Sequence, residues 1–150
     1  MTRPSWDEYF MNMTDLVKQR ATCLRRKVGA VIVKNKQILS TGYNGAPMGL
    51  EHCETCLRKD MNIPSGEKQE ICRATHAEQN AIAQAALHGV SINGATIYCT
   101  NFPCVTCMKL LLNAGIKEVV YSDDYNDELA KKIGKESGIT IRQFKVDKDA

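Results

Sequence analysis

Four segments follow one another along the chain: ATHAEQNAIAQAALHG (74–89), ATIYCT (95–100), CVTCMKLLLNAG (104–115) and EVVYS (118–122). The first is dense in alanine, the strongest helix former, and ends on Gly89, a residue type that closes helices. The second and fourth are rich in β-branched and aromatic residues and read as strands. The third reads as a helix closed by Gly115. Working outward, residues 126–137 predict a helix closed by Gly138, and Ile139 to Phe144 a last strand. Upstream, Val28 to Val33 and Gln37 to Tyr43 read as strands joined by the turn Asn35-Lys36, a hairpin. Residues 5–21 carry apolar side chains at helical spacing, with Ser5 as N-cap and Glu8 completing a capping box. A hairpin followed by alternating helix and strand predicts an α/β protein: a three-layer α/β/α fold around one mixed sheet of about five strands.

The 150 residues fit one domain, residues 1–150, whose polar tail frays from Val146. Apolar residues make up 43% and charged residues 25%, ordinary for a water-soluble globular chain. A net charge of +3 is too mild for a polymeric nucleic acid, which wants a basic stripe, and 6% aromatics gives no stacking platform. No apolar run approaches the roughly 20 residues that cross a bilayer, and the start of the chain carries no signal-peptide core. The expectation is a cytoplasmic protein without a membrane partner, where seven cysteines are read as metal chemistry, not disulfides.

Residues 45–72 break the pattern. They hold Gly45, Pro47, Gly49, Pro64 and Gly66 together with Cys53, Cys56 and Cys72. A loop this long inside a compact domain is usually functional or tied down. It reads as a cysteine-bearing insertion held by metal.

Two motifs carry chemistry: His76-Ala77-Glu78 and Pro103-Cys104-Val105-Thr106-Cys107. Each falls where a helix begins, so unpaired N–H groups and the positive dipole end favour thiolates. Cys104 and Cys107 are three apart and share a helix face. With His76 they make three ligands, and an open fourth position is what distinguishes catalytic from structural zinc. Two thiolates and an imidazole already neutralise Zn²⁺, so Glu78 is more useful as a proton shuttle than as a fourth ligand. One tension stands: positions i and i+2 of a helix do not face each other.

The pattern His-x-Glu with Pro-Cys-x-x-Cys is the zinc deaminase signature. On it the chain resembles the cytidine/deoxycytidylate deaminase superfamily, most of all its deoxycytidylate (dCMP) deaminase branch with the ComEB-like members. The narrower likeness rests on Val28-Gly29-Ala30, Thr41-Gly42-Tyr43-Asn44-Gly45, His52-Cys53, Cys72 to Ile82 and Gly115-Ile116-Lys117. The resemblance implies a cytidine deaminase-like fold and hydrolysis of dCMP to dUMP and ammonia, supplying thymidylate synthesis. It implies zinc on His76, Cys104 and Cys107, with Glu78 moving a water's proton to N3 and then to the departing amine. It further implies Ala77 N–H on the pyrimidine O2, Asn44 on the deoxyribose or base, and Tyr125 closing over the nucleotide. Arg25, Arg26 and Lys27 are candidates for the 5′-phosphate. Cys23, Cys53, Cys56 and Cys72 would hold a second, structural zinc, with His52 able to replace one of them. The family also implies a homo-oligomer, up to a hexamer, and the effectors dCTP and dTTP with Mg²⁺ near Gly42, Tyr43 and Gly45.

Plainer readings stand beside these. Buried thiols and a core histidine explain any one ligand alone. Asn44-Gly45 is also a sound turn, and the 25–27 cations suit a helix end. Cys99, in a strand beside Tyr98, reads as packing. Competing functions are a tRNA adenosine deaminase, a deaminase of free cytidine and a non-catalytic zinc-stabilised accessory protein. The intact Glu78 argues against the last.

Overall fold

A computed structural model describes residues 2–147, with Glu70 described in its backbone only; positions 148–150 of the polar tail lie outside the described residues. Helix α1 spans Trp6–Lys18, strand β1 Gly29–Lys34, β2 Gln37–Tyr43, helix α2 Leu57–Asp60, α3 Ala77–Leu87, β3 Thr96–Asn101, α4 Val105–Asn113, β4 Glu118–Asp123, α5 Glu128–Ser137 and β5 Thr140–Gln143. The five strands form one mixed sheet in the order β2-β1-β3-β4-β5. β1 is antiparallel to β2 and β3, whereas β3, β4 and β5 are parallel and joined through α4 and α5. Parallel neighbours need such crossovers.

Local chemistry explains the element ends. Ser5 Oγ accepts from Glu8 N–H at 3.1 Å and caps α1. Asn35 and Lys36 both have positive φ, 52° and 64°, the handedness a tight hairpin needs to match strand twist. Gly138, at φ 78°, ends α5 in the left-handed conformation that glycine adopts without a Cβ clash. The predicted helices start too early by two or three residues at 74 and 126, because His76 and Asp127 are caps with extended backbone instead of helical residues.

Alternation along the strands divides the core. Ile32, Ile97, Cys99 and Val119 meet Ala81, Ala85 and Leu111 of α3 and α4. Val31, Val33, Tyr98 and Val120 meet Phe10 and Met11 of α1 on the other face. α5 joins α4 through Ala130, Met108 and Ile133. The expected three layers are therefore present, with α1 on one side and α3, α4 and α5 on the other. Among the described residues no helix is long and apolar enough to cross a membrane.

The alanines of α3 allow it to lie directly on β2. A Cβ on Gly42 would run into the Ala77 carbonyl oxygen and the Ala81 nitrogen. Ser40 Oγ donates to Ala81 O at 2.6 Å. The insertion leaves and rejoins the fold at one point, where Gly45 and Thr75 exchange backbone hydrogen bonds of 3.2 and 2.7 Å. Inside it are only α2 and a short 3-10 turn, Gln69–Ile71.

Candidate metal centre and nucleotide pocket

The N-termini of α3 and α4 converge beside the start of β1 and the ends of β2 and β3. His76 is the N-cap of α3, at φ −73° and ψ 156°. Its extended backbone removes the conflict between positions 76 and 78, since the ring is not bound to the helical period. Gln79 Oε1 accepts from His76 N–H at 2.8 Å and fixes the turn. Cys104 caps α4 with an equally extended backbone, and Cys107 lies in that helix's first turn.

His76 Nδ1 stands 3.4 Å from Cys104 Sγ and 3.3 Å from Cys107 Sγ. All three ligand atoms lie within 4.8 Å of one another. A tetrahedral zinc with bonds of about 2.3 Å to sulfur and about 2.0 Å to nitrogen sets its sulfur and nitrogen ligands about 3.5 Å apart. The spacing is therefore that of a ligand shell, and the donor set suits zinc. Electrostatics agrees. The Cys107 thiol, with the His76 ring, holds Cys104 far down at about 4 against the effect of burial. The Cys104 sulfur, with burial, pushes Cys107 well up. The opposite directions show two sulfurs that act on each other closely, and a dication between them favours the thiolate form of both.

Glu78 is only 5% exposed. Burial first, and the Cys104 charge second, raise its pKa above the ordinary glutamate value. Ala77, fully buried, is the first residue of α3, so its N–H has no acceptor inside the helix. Cys99 is buried next to Glu78, whose charge adds to burial in keeping that thiol protonated.

Around this centre is a cavity of about 310 Å³, a size that takes a small ligand. His76, Ala77, Glu78, Cys104, Asn44 and Tyr125 all line it, so the structure brings together the metal trio, the carboxylate and the candidate substrate contacts. Asn44 is more committed than its sequence role implies. Its Oδ1 accepts from Val28 N–H at 2.8 Å and its Nδ2 donates to Arg26 O at 2.7 Å. One N–H and one lone pair remain for a ligand. Tyr125 has the Arg26 guanidinium 5.0 Å from its ring centre and meets Gly66 of the insertion with its hydroxyl. Arg25 also lines the cavity, whereas Lys27 does not.

Gly42 and Gly45 are buried by packing, Gly42 against α3 and Gly45 against the Thr22 hydroxyl, and only Tyr43 of that trio is exposed. Cys23, Cys53, Cys56 and Cys72 converge without closing. Burial, then Cys72, then Cys23 and Cys56 raise the Cys53 thiol, so all four are electrostatic neighbours. No three of them draw within 4.8 Å of one another as the His76 trio does. Sequence reasoning missed Arg58, Ser65, Gly66, Gln69, Asn101 and Phe102 in the lining. A signal existed for Arg58 alone: it ends the tripeptide Cys56-Leu57-Arg58, which repeats Cys23-Leu24-Arg25.

A mixed sheet that presents an imidazole, two thiols and a buried carboxylate at adjoining helix N-termini defines a candidate zinc centre with a carboxylate beside it. Residues 4–123 match the family described as the cytidine and deoxycytidylate deaminase zinc-binding region, and the chain belongs to that family. It is 42% identical over 145 residues to a deoxycytidylate deaminase of Saccharomyces cerevisiae, covering 96% of this chain and 46% of that one. It is 41% identical over 150 residues to ComE operon protein 2 of Bacillus subtilis, covering 98% and 75%. The chain thus spans less than half the length of the yeast relative. Among solved structures, the dCMP deaminase of cyanophage S-TIM5 in complex with dCMP and dUMP superposes with a TM-score of 0.81 at 32% identity, covering 96% of this chain and all of that one.

Proposed function

We propose that this chain hydrolyses dCMP to dUMP and ammonia at a zinc ion held by His76 Nδ1, Cys104 and Cys107, supplying dUMP for thymidylate synthesis. One observation carries the reading: His76, Cys104, the buried Glu78 and the arginines 25, 26 and 58 line a single cavity, with Cys107 3.3 Å behind the His76 ring nitrogen. Zinc, when bound, acts as a Lewis acid that lowers the pKa of its water toward neutrality. Glu78 takes the water's proton, delivers it to N3 of the ring as C4 is attacked, and then passes the second proton to the amine that leaves as ammonia. A raised proton affinity suits a group that must both accept and return a proton near neutral pH. The Ala77 N–H holds the pyrimidine O2, the free N–H of Asn44 holds the sugar, and Tyr125 covers the nucleotide.

The same reading takes Cys23, Cys53, Cys56 and Cys72 as ligands of a second, structural zinc that closes on binding. Four thiolates complete a structural shell, and they stay reduced in a cytoplasmic setting. It takes residues 1–150 as one domain with the insertion at about 45–72, assembling as a homo-oligomer of up to six chains. An effector dCTP or dTTP, with Mg²⁺, would meet the 42–49 segment through the exposed Tyr43 and Met48, since Gly42 and Gly45 are occupied by packing. Incubation of the purified protein with dCMP, dCTP, cytidine and an adenosine-bearing tRNA, followed by ammonia release, tests the substrate. Turnover of dCMP alone is expected. Turnover of cytidine at equal efficiency overturns the nucleotide reading, and turnover of none overturns the enzyme.

A further inference from the structure

Two backbone N–H groups at the start of β1 organise two asparagines at the cavity. Val28 N–H donates to Asn44 Oδ1 at 2.8 Å. Gly29 N–H donates to Thr100 Oγ1 at 3.1 Å, and the Thr100 hydroxyl donates in turn to Asn101 Oδ1, also at 3.1 Å. Thr100 is buried, and a buried hydroxyl proton needs an acceptor. Asn101 Oδ1 is the acceptor it has among the described residues. The oxygen of each amide is thereby committed to the sheet, and the nitrogen is the end left over. In Asn44 that end donates once, to Arg26 O. In Asn101 it has no acceptor among the described residues, so both of its N–H groups are spare, and Asn101 lines the cavity.

Strand register makes a pair of the two amides. β1 lies between β2 and β3, with Gly29 opposite Tyr43 on one side and Ala30 opposite Cys99 on the other. One residue further along β2 and two further along β3, Asn44 and Asn101 flank Val28. Residues opposite one another in antiparallel strands share a face. Neighbouring strands are about 4.8 Å apart, so the backbones that carry the two amides stand about 10 Å apart. Val28 also lines the cavity, as an apolar floor between two polar walls. Such a floor suits the carbon face of a furanose, with an amide on either side for its oxygens.

Building on the dCMP reading, we propose that Asn101 is a sugar-binding residue whose amide donates to the nucleotide's 3′-hydroxyl oxygen, across Val28 from Asn44. Thr100 is a positioning residue that acts through Asn101. The chemistry of the substrate selects that atom. In the dCMP reading the pyrimidine is held at the metal end of the cavity, and a dianionic 5′-phosphate calls for cations, not for a neutral amide. Of the two oxygens left on the deoxyribose, the hydroxyl is the stronger acceptor and projects from the ring.

The test pairs a change in the protein with a change in the substrate. The zinc-loaded chain and its Asn101→Ala variant are each given dCMP and 2′,3′-dideoxycytidine 5′-monophosphate, which lacks only the 3′-hydroxyl. Ammonia release gives kcat and KM. Loss of the hydroxyl should cost the parent about tenfold in kcat/KM, the size of one neutral hydrogen bond. Asn101→Ala should cost dCMP about tenfold, mostly through KM, and leave the dideoxynucleotide within about twofold of the parent's value. Asn101→Leu, which keeps the volume, gives the same comparison should the alanine variant fail to fold. Thr100→Val should reproduce part of the loss on dCMP alone, and Thr100→Ser, which keeps the hydroxyl, should behave as the parent. Equal kcat/KM of the parent on the two nucleotides overturns the proposal, and that comparison needs no variant. So does an Asn101→Ala chain that loses nothing on dCMP, or one that weakens both nucleotides equally, the mark of a merely structural residue. A Thr100→Val chain with the parent's values overturns the role of Thr100. A parent that turns over neither nucleotide overturns the dCMP reading itself, which is a different result.

Discussion

His76 and Glu78 are two apart in sequence, and the work of the centre depends on their escaping the geometry that spacing implies. The escape lies in the cap. An extended residue at position 76 frees the ring from the helix, while Glu78, the second residue of α3, is itself only 5% exposed and lines the same cavity as the ring. Burial is a cost for a carboxylate at neutral pH. Glu78→Gln keeps the shape and the metal ligands and removes the proposed proton carrier. Turnover of dCMP should fall about 10²- to 10⁴-fold, with zinc content unchanged by elemental analysis. The Tm should be no lower than the parent's, because a neutral amide replaces a buried charge. Turnover near the parent's would show that another group moves the proton. Both motifs were legible because helix N-termini, thiol spacing and the lone carboxylate each point to one chemistry. Arg58 was not, since the repeat of Cys23-Leu24-Arg25 in Cys56-Leu57-Arg58 does not say where the path of the insertion carries the second arginine.

Two elements owe their placement to a single side chain. Asp127 Oδ1 accepts from Ala130 N–H at 3.0 Å and caps α5, while its Oδ2 accepts from Val105 N–H at 2.9 Å at the start of α4. Val105 follows the ligand Cys104, so the carboxylate that caps one helix also holds the turn bearing a metal thiol. Loss of an ordinary cap costs about 1 kcal/mol. Asp127→Ala should cost about 2 kcal/mol by urea titration, since two helix starts lose a partner, and should weaken zinc in a competition assay. Asp127→Asn should retain much of both. On the opposite side of the sheet, Arg142 of β5 bonds Asp7 of α1 at 3.0 and 3.1 Å and Glu118 of β4 at 2.9 Å. Arg142 first, opposed by partial burial and aided by Tyr98, holds Asp7 below the usual aspartate pKa. A depressed folded pKa gives stability that is present above the unfolded value, about 3.9, and is lost as pH falls through the folded one. Arg142→Gln should therefore cost about 1 kcal/mol at pH 7, kept small because the guanidinium side chain is 40% exposed. The difference from the parent should shrink in urea titrations below about pH 4. A gap that is constant with pH would assign the loss to packing alone.

At the scale of the whole molecule, the sheet and its helices were legible because periodicity, glycine stops and turn residues agree over residues 74–144. The order β2-β1-β3-β4-β5 joins a hairpin to two parallel crossover units. The path of the insertion was not legible. Its backbone is bound by few ladder hydrogen bonds, and its course depends on long-range contacts such as Arg25 to Ile63, 38 residues apart. The same contrast divides the cysteines. Cys99, Cys104 and Cys107 are buried in the core and at the candidate metal centre, whereas Cys23, Cys53, Cys56 and Cys72 are partly open to solvent. Thiol modification needs access as well as a thiolate. In the reduced, metal-free chain, brief alkylation followed by peptide mass spectrometry should therefore label the four insertion-side thiols before the three buried ones. Adding zinc up to one equivalent and then to two should separate the sites. The four should become protected together, over a single equivalent, because a shared ion cannot shield one of its sulfurs and leave the other three reactive. Independent protection of these cysteines, or none at two equivalents, would show that they are four separate thiols and that the insertion is held by its arginines alone.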